Sequence, residues 1–401
     1  MDIFHATVLN LHQPPGNLEA LLDSREWEAR EILYAMDRIP RALAGYEDVA
    51  RIHLSLSGTL LETLSNPDFQ SRVYGTVKCG ELLWKLRNPA IDILGTGYYH
   101  PVMALIPEAD REEQIERWFG IAGHLFDGRH FSGFWPPEMG FSMELIPLLK
   151  KLGFRYVLVD SERVEAITPM SWQALRYQPH VARFGGEEII IIVRDRALSN
   201  AQEAGMDPGW FVNEAAERTQ QCDFPALITT CSDGENGGWF RNSNWSANFW
   251  GVFYQPLMDR VREGSAGLSP VFIQDYLDRF GASGEVRVHA GAWNTGDHDG
   301  MGFTQWTGSQ DQKDALQRIA DVSKVIHKKR WEQGEKGWPN QEVGHLLEQA
   351  MWHLLRAETS CNLYWGEHWV PRCHQDLDEA LTFLQAAQAN ESQDKETSSN
   401  K

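Results

Sequence analysis

The segment Glu188-Ile-Ile-Ile-Ile-Val193 contains five consecutive β-branched apolar residues. A strand exposed on one face alternates apolar and polar residues, whereas this run does not alternate. Such a run is typical of a strand buried on both faces of a parallel sheet. Two charged residues, Arg194 and Asp195, follow it directly. The segment therefore predicts a central strand whose carboxyl end carries polar side chains.

Other short segments rich in β-forming residues lie on both sides of this run. They are Phe4–Leu11, Arg51–Leu56, Ala90–Leu94, Ser132–Trp135, Arg155–Val159, Ala226–Thr230 and Glu285–Ala290. Helical periodicity separates them at Glu26–Ala44, Thr59–Leu86 and Asp110–Phe126, where Asp110 can cap the last helix. Strands that alternate with helices in this way predict a parallel α/β architecture, most simply a barrel.

After Gly308 the helical periodicity continues without strand segments. Helices are predicted at Asp311–Gln333, Gln341–Glu358 and Asp376–Ala389, and the polar tail Asn390–Lys401 follows them. We therefore predict a barrel domain over residues 1–308, a C-terminal helical domain over 309–389 and a disordered tail over 390–401.

The chain of 401 residues has a formal net charge of −19. Such a charge argues against nucleic acid as a partner and disfavours an anionic membrane surface. Five cysteines at wide spacings, without a CxxC pair, indicate a reducing compartment. The N-terminus lacks the pattern of a signal peptide, and no apolar run approaches the ~18 residues of a transmembrane helix. We therefore expect a cytoplasmic protein.

The segment Gly133-Phe-Trp-Pro-Pro-Glu-Met-Gly-Phe141 follows a predicted strand directly. Its two consecutive prolines restrict the backbone, so Glu138 is presented on a stiff turn beside Trp135. A carboxylate at the carboxyl end of a barrel strand is placed as the nucleophile of a glycosidase would be. The alternative is a glutamate that only offsets the dipole of the following helix.

A second segment, Thr230-Cys-Ser-Asp-Gly-Glu-Asn-Gly-Gly-Trp-Phe240, also follows a predicted strand. Its glycines allow a substrate or another backbone segment to approach Asp233 closely, and Glu235 lies two residues further on. A structural turn is the alternative interpretation. The calcium-loop pattern fails because no further acidic residues follow at the required spacing.

Polar and aromatic side chains also follow the other predicted strands. They are His12, Gln13, Tyr98, Tyr99, His100, Asp160, Arg194, Asp195, Trp293, Asp297, His298 and Asp299. Because the carboxyl ends of barrel strands meet at one face, we expect these side chains to surround one site.

Metal and nucleotide chemistry find little support in the sequence. His12, His100 and His298 could in principle form a zinc site with an aspartate, but the chain has neither HExxH nor HxH. We therefore predict no metal and no cofactor. The chain also has no GxSxG, GxGxxG or P-loop motif, which leaves acyl transfer and nucleotide binding without support.

Taken in order, these segments resemble the five short regions shared by glycoside hydrolase family 57. The counterparts are His12-Gln13-Pro14, residues 91–101, Trp135-Pro-Pro-Glu138, Ser232-Asp-Gly-Glu235 and residues 357–369. The resemblance implies an incomplete (β/α)7 barrel followed by a C-terminal α-helical bundle that completes the binding cleft. It also implies a retaining enzyme that acts on α-glucans without a metal or an organic cofactor.

The resemblance implies that Glu138 is the nucleophile and Asp233 the general acid/base. We expect burial and the charge of Glu138 to keep Asp233 protonated. Substrate-binding residues are expected at His12, Gln13, His100, Trp135, Asp195, Glu235, Trp293, Trp306 and Trp365. The 16 tryptophans fit a sugar substrate, because an indole can stack on the flat face of a sugar ring, although core packing explains most tryptophans.

The resemblance leaves the subgroup open. Asp92 stands where many members have Glu, and residues 360–362 read Ser-Cys-Asn where many have Ser-Asp-Trp. Amylase-like hydrolysis, 4-α-glucanotransferase activity and branching are all compatible with the sequence. Two further alternatives are a glucan-binding protein without turnover and a metal-assisted carbohydrate hydrolase or deacetylase.

Overall fold

The computed structural model describes residues 2–293, 302–338 and 340–399. Within these residues seven parallel strands form a barrel, numbered here in chain order. They are β1 (Ile3–Leu11), β2 (Ile52–Leu56), β3 (Ile91–Leu94), β4 (Gly133–Phe134), β5 (Tyr156–Asp160), β6 (Glu187–Arg194) and β7 (Ala226–Asp233). The predicted α/β fold is confirmed, and each predicted strand up to residue 230 has its counterpart in the barrel.

Neighbouring strands of the barrel follow chain order. β7 closes the barrel by pairing with β1, which places Asn10 beside Asp233. β3 and β4 are joined through the backbone of Gly95. β6 and β7 are joined where the N–H of Asp195 donates to the carbonyl of Thr229 at 2.8 Å. Because these strands are parallel, the residues that follow them gather at one face of the barrel.

The last predicted strand, Glu285–Ala290, was expected to continue the barrel series, and that prediction is wrong. Val286–Val288 pairs antiparallel with Val164–Ala166 outside the barrel. Its first and third residues are buried and the arginine between them is exposed, which fits a ribbon covered on one face. The strand His180–Phe184 pairs antiparallel with β6, and Ser269–Pro270 pairs with β1.

The longer helices around the barrel are Asn17–Ser24, Glu26–Leu43, Gly58–Ser65, Pro67–Val73, Cys79–Lys85, Glu108–Leu125, Ile146–Lys151, Trp172–Tyr177, Arg196–Glu203, Pro208–Thr219, Gln255–Arg262 and Ile273–Phe280. The segment over residues 59–86 is expected to form two helices, but the structure has three. Asn66 ends the first and caps the second, which begins with Pro67. Asp110 does not cap its helix, which begins earlier at Glu108; its side chain is buried against His327.

Three long helices of the described chain follow the barrel: Gln310–Glu335, Gln341–Ala357 and Val370–Ser399. The first begins with a capping box in which the Ser309 hydroxyl accepts from the N–H of Gln312. The last continues through residues 390–399, which the polar composition of the tail predicts to be disordered. That segment contains Glu, Gln and Lys, which favour the extension of a helix that has already formed.

The barrel interior is filled with apolar side chains. They include Ala6, Val8, Leu94, Trp135, Met139, Tyr156, Leu158, Ile192, Leu227 and Cys231. A larger core lies between the outer face of the barrel and the helices. In the part of the chain that the structure describes, no helix is long and apolar enough to cross a membrane.

Candidate active site

A cavity of about 640 Å³ lies at the carboxyl ends of the barrel strands. The barrel contributes Asn10, His12, Gln13, His100, Glu138, Asp233, Glu235 and Trp293 to its wall. The region after the barrel contributes Gln305, Trp306, Cys361, Tyr364, Trp365 and Trp369. Both predicted catalytic carboxyl groups therefore lie in one cavity, which the C-terminal helical region helps to enclose.

The backbone of Glu138 is strained. It follows Pro136 and Pro137 and has a φ of 60°, in the left-handed region that a glutamate rarely adopts. Strained residues of this kind are concentrated at functional sites. The N–H of Trp293 donates to the carbonyl of Glu138 at 3.0 Å and holds the turn.

Two donors hold the Glu138 carboxylate. Nε1 of Trp293 donates to Oε2 at 3.1 Å, and the Ser360 hydroxyl donates to Oε1 at 2.9 Å. Nδ1 of His100 lies 3.7 Å from Oε1. Burial and, next, the negative charge of Asp233 raise the pKa of Glu138 to about 7, whereas the two hydrogen bonds oppose this rise.

Asp233 ends β7, and its Oδ1 accepts a hydrogen bond from Nδ2 of Asn10 at 3.1 Å. Burial raises the pKa of Asp233, and Asn10, Asn236 and the charge of Arg194 act in the opposite direction. We expected the charge of Glu138 to raise the pKa of Asp233; in the structure the repulsion raises the pKa of Glu138 instead. Because the negative charges of the two carboxyl groups repel each other, ionisation of one makes ionisation of the other less favourable.

His12 and His100 stack face to face, with ring centroids 4.0 Å apart and an interplanar angle of 7°. Nδ1 of His12 lies 2.9 Å from the hydroxyl oxygen of Ser57, and Nδ1 of His100 lies 3.3 Å from that of Ser360. Burial lowers the pKa of both rings, that of His100 to about 3. Both rings are therefore neutral at physiological pH and can hydrogen-bond a ligand without adding charge.

Glu235 lies buried beside His12. Its Oε1 accepts from the backbone N–H of His12 at 2.8 Å, and its Oε2 has no hydrogen-bond partner among the described residues. Burial and, next, the charge of Asp233 raise the pKa of Glu235 well above its usual range. This shift favours the protonated, uncharged form of Glu235 at the wall of the cavity.

The predicted aromatic positions lie at different depths. Trp293, Trp306 and Trp365 line the cavity, as does Gln13, and Trp365 is 56% exposed. Trp135, by contrast, is fully buried in the barrel interior and is not among the residues that line the cavity. Its ring makes an edge-to-face contact with Trp293 at 5.3 Å. Trp135 therefore packs against Trp293 from the side of the barrel interior.

Asp195, expected in the substrate site, lies outside the lining of the cavity. It caps the helix Arg196–Glu203 by accepting from the N–H of Leu198 at 2.9 Å. Its other oxygen accepts from the Tyr177 hydroxyl at 2.9 Å and pairs with Arg218. Asp297, His298 and Asp299, also predicted at a strand end, lie outside the described residues.

Sequence reasoning missed Asn10 and gave Ser360 and Cys361 no role. Asn10 lies opposite Asp233 in the parallel register of β1 and β7, a relation that becomes visible only once that pairing is known. Ser360 and Cys361 lie in the fifth family-like region, but its sequence does not reveal that it faces Glu138. The sulfur of Cys361 lies 3.7 Å from Nε2 of His12.

A metal centre is the alternative role for the histidines of this site. Over residues 2–293, 302–338 and 340–399, no group of three or more His, Cys, Asp and Glu side chains is arranged to hold a metal ion. His12 and His100 contact each other and serine hydroxyls instead.

The sequence of this chain is similar to those of known carbohydrate-active enzymes. The sequence profile of the family described as Glycosyl hydrolase family 57 matches residues 28–289. An α-amylase from Pyrococcus abyssi is 28% identical over 291 residues, which cover 69% of this chain and 39% of that protein. A 4-α-glucanotransferase from Thermococcus litoralis is 28% identical over 190 residues, which cover 47% of this chain and 26% of that protein. The matches thus span well under half the length of either relative.

The fold has solved counterparts. The crystal structure of a GH57-type branching enzyme from the hyperthermophilic archaeon Pyrococcus horikoshii has a TM-score of 0.69 with this chain at 15% sequence identity. The superposition covers 96% of this chain and 88% of that chain. It therefore includes the helical region after the barrel as well as the barrel itself.

Proposed function

Since the chain belongs to glycosyl hydrolase family 57, we propose that it cleaves or transfers α-glucans by a retaining double displacement. Glu138 is the nucleophile and Asp233 the general acid/base. One observation carries this proposal: two buried carboxyl groups whose charges interact face a single cavity at the carboxyl end of the barrel.

The reaction has two steps. In the first, a carboxylate oxygen of Glu138 bonds to the anomeric carbon, the bond from that carbon to the glycosidic oxygen breaks, and Asp233 gives its proton to the departing oxygen. In the second, water or a sugar hydroxyl attacks the anomeric carbon, the bond to Glu138 breaks, and Asp233 takes the proton of the incoming group. Water gives hydrolysis, and a sugar hydroxyl gives transfer.

The contacts of the two carboxyl groups support these roles. Trp293 and Ser360 donate to Glu138, which orients its carboxylate and favours its ionised form. Asn10 donates to Oδ1 of Asp233 at 3.1 Å, which orients this carboxyl group at the end of β7. A retaining mechanism requires the two groups to be about 5–5.5 Å apart; a crystal structure that places them more than about 6.5 Å apart would contradict it.

The cavity suits a neutral ligand rich in hydroxyl groups. His12 and His100 are neutral, and burial raises the pKa of Glu235 well above its usual range, which favours its uncharged form. Trp293 and Trp365 add aromatic faces that can stack on sugar rings. A glucan meets both requirements.

Trp365→Ala is expected to weaken substrate binding. Covering about 60 Å² of the exposed indole with a sugar ring is worth about 1.5 kcal/mol, so KM for maltooligosaccharides should rise roughly tenfold with little change in kcat. Trp27→Ala is the matched control, because Trp27 is 62% exposed but does not line the cavity. Equal KM values for Trp365→Ala and wild type would show that Trp365 does not contribute to substrate binding.

Ser360→Ala is expected to move the pH–rate profile to higher pH. Because the pKa of Glu138 is raised to about 7, the protonated form of the Glu138–Asp233 pair is lost as the pH rises through that value, so kcat/KM should fall above it. Without the Ser360 hydroxyl the anionic forms of the pair are less stable, so both limbs of the profile should shift upward. Ser65→Ala, which removes a serine outside the cavity lining, should leave the profile in place. An unshifted profile for Ser360→Ala would show that its hydrogen bond does not tune the pair.

Product analysis tests the proposed function. The wild-type protein is incubated with amylose and with single maltooligosaccharides, and the products are separated by chain length and tested for α-1,6 branches. Shorter chains alone indicate hydrolysis, shorter and longer linear chains indicate transfer, and new branches indicate branching. If every α-glucan remains intact, the proposal fails, and binding to amylose then tests the alternative of a glucan-binding protein.

A further inference from the structure

Outside the cavity, a buried polar cluster joins the barrel to the helical region. Asp110 and Gln114 lie on the helix Glu108–Leu125 and Glu358 follows the helix Gln341–Ala357; none of the three is more than 1% exposed. Charged residues are almost never buried to this extent unless they are paired. Asp110 and Glu358 are therefore expected to have hydrogen-bonding partners within the cluster.

In each of the two carboxyl groups, one oxygen contacts a side chain that is not a carboxyl group. Nε2 of His327 lies 2.6 Å from Oδ1 of Asp110, and Nε2 of Gln114 donates to Oε2 of Glu358 at 2.9 Å. The remaining oxygens, Oδ2 of Asp110 and Oε1 of Glu358, are buried and have no other hydrogen-bond partner among the described residues, and the two carboxyl groups lie close enough to hydrogen-bond to each other. Two carboxylate oxygens can form such a contact only if a proton lies between them.

The same cluster is connected to the active site through the backbone. Gln114 accepts from the N–H of Tyr98 at its carbonyl (3.1 Å) and from the N–H of Tyr99 at its side chain (2.9 Å). These tyrosines directly precede His100. The N–H of Ser360, two residues after Glu358, donates to the carbonyl of His100 at 3.2 Å.

We propose that Asp110 and Glu358 share one proton in a buried acid–carboxylate hydrogen bond, and that this bond positions Ser360 and His100 against Glu138. Glu358 carries the proton and donates to Asp110, whose remaining charge faces His327. Glu358 is thus a positioning residue that acts through Ser360. The consequence for turnover rests on the proposed function, whereas the shared proton does not.

The surroundings favour this arrangement. Burial and, next, the charge of Asp110 raise the pKa of Glu358 well above its usual range, while Gln114 and Arg111 act in the opposite direction. His327 faces the pair from the helix Gln310–Glu335, Arg111 from the helix of Asp110, and Cys373 from the helix Val370–Ser399. Burial is the main reason why the pKa of the Cys373 thiol is raised to about 12, so this thiol stays neutral.

The sign of the pH effect follows from the raised pKa of Glu358. The folded protein holds this proton more tightly than the unfolded chain, so its contribution to stability is complete at acidic pH and is lost as the pH rises through the raised pKa. In Glu358→Gln the amide donates to Asp110 and accepts from Gln114 without a proton that can be lost. The variant should therefore resist alkaline unfolding better than wild type.

The test compares Glu358→Gln with Glu358→Leu. Thermal unfolding from about pH 6 to about pH 9 should show a difference in Tm between Glu358→Gln and wild type that grows with pH in favour of the variant. On maltooligosaccharides, Glu358→Gln should retain wild-type kcat, whereas Glu358→Leu should lower kcat about 10- to 100-fold with little change in KM.

Several outcomes would overturn the inference. A Glu358→Gln variant as impaired as Glu358→Leu would mean that the carboxyl group is needed in its ionised form. A Glu358→Leu variant with lower Tm but wild-type kcat would mean that the cluster stabilises the fold but does not position Ser360 and His100 for turnover. If Glu358→Leu does not fold, the pH dependence of Tm for Glu358→Gln decides alone. Wild-type protein without activity on any α-glucan would refute the proposed function, while the Tm comparison would still test the shared proton.

Discussion

Glu138→Gln is expected to lower kcat on amylose by at least ~10⁴-fold while the fold is retained. An amide cannot form the glycosyl–enzyme bond, but it has the shape of the carboxylate and keeps an acceptor for Trp293 or Ser360. Because the pKa of Glu138 is raised from 4.5 to about 7, wild type loses stability as the pH rises through that range. The inactive variant should therefore be more stable than wild type above about pH 7.

Glu144→Gln serves as the control for this prediction. Glu144 is exposed, lies six residues after Glu138 and does not line the cavity, so its substitution should leave kcat unchanged. A Glu138→Gln variant that retains more than about one hundredth of wild-type kcat would exclude Glu138 as the nucleophile.

Chemical rescue identifies the nucleophile more directly. Glu138→Gly suits the φ of 60° at this position and leaves space for azide. With an α-glucosyl fluoride, azide should bond to the anomeric carbon as fluoride leaves, which gives the β-glucosyl azide. An α-azide from this variant would mean that another group still forms the covalent intermediate.

Asp233→Asn is expected to lower kcat on amylose by about 10²- to 10⁴-fold. A glycosidic oxygen needs a proton as it leaves, whereas fluoride does not, so the loss in the first step should be much smaller with an α-glucosyl fluoride. Asp223→Asn is the control, because Asp223 is exposed and does not line the cavity. Equal losses on amylose and on the fluoride would contradict a role for Asp233 as the general acid.

The anomeric configuration of the glucosyl azide product distinguishes the roles of the two carboxyl groups. In Asp233→Ala the covalent intermediate on Glu138 can still form from an activated substrate, and azide then attacks it from the opposite face. The expected product is the α-glucosyl azide, whereas Glu138→Gly gives the β-azide. The same anomer from both variants would contradict the division of roles.

The strand ends could be predicted from the sequence because each combines a β-forming run with an abrupt polar or glycine-rich stop. Glu138 and Asp233 come from distant segments, and the order of parallel strands brings both to one cavity. The roles proposed for them come from the family resemblance. The rule that the carboxyl ends of barrel strands share a face supplied their proximity.

Other features depend on packing that the sequence does not encode locally. Trp135 and Trp293 both follow strands, yet one points into the packed barrel interior and the other lines the cavity. Asp195 ends the most apolar strand, but the start of the next helix recruits it as a cap. Ser360 reaches Glu138 only because the helical region folds back over the barrel, and periodicity does not reveal that contact.

The anomeric configuration of the first product tests the central claim most directly. ¹H NMR spectra are recorded during the first minutes of maltooligosaccharide cleavage, before the newly released reducing end equilibrates by mutarotation. A double displacement through Glu138 predicts that the α-anomer appears first and the β-anomer accumulates only as mutarotation proceeds. If the β-anomer appears first, the reaction is a single displacement with inversion, and Glu138 is not a covalent nucleophile.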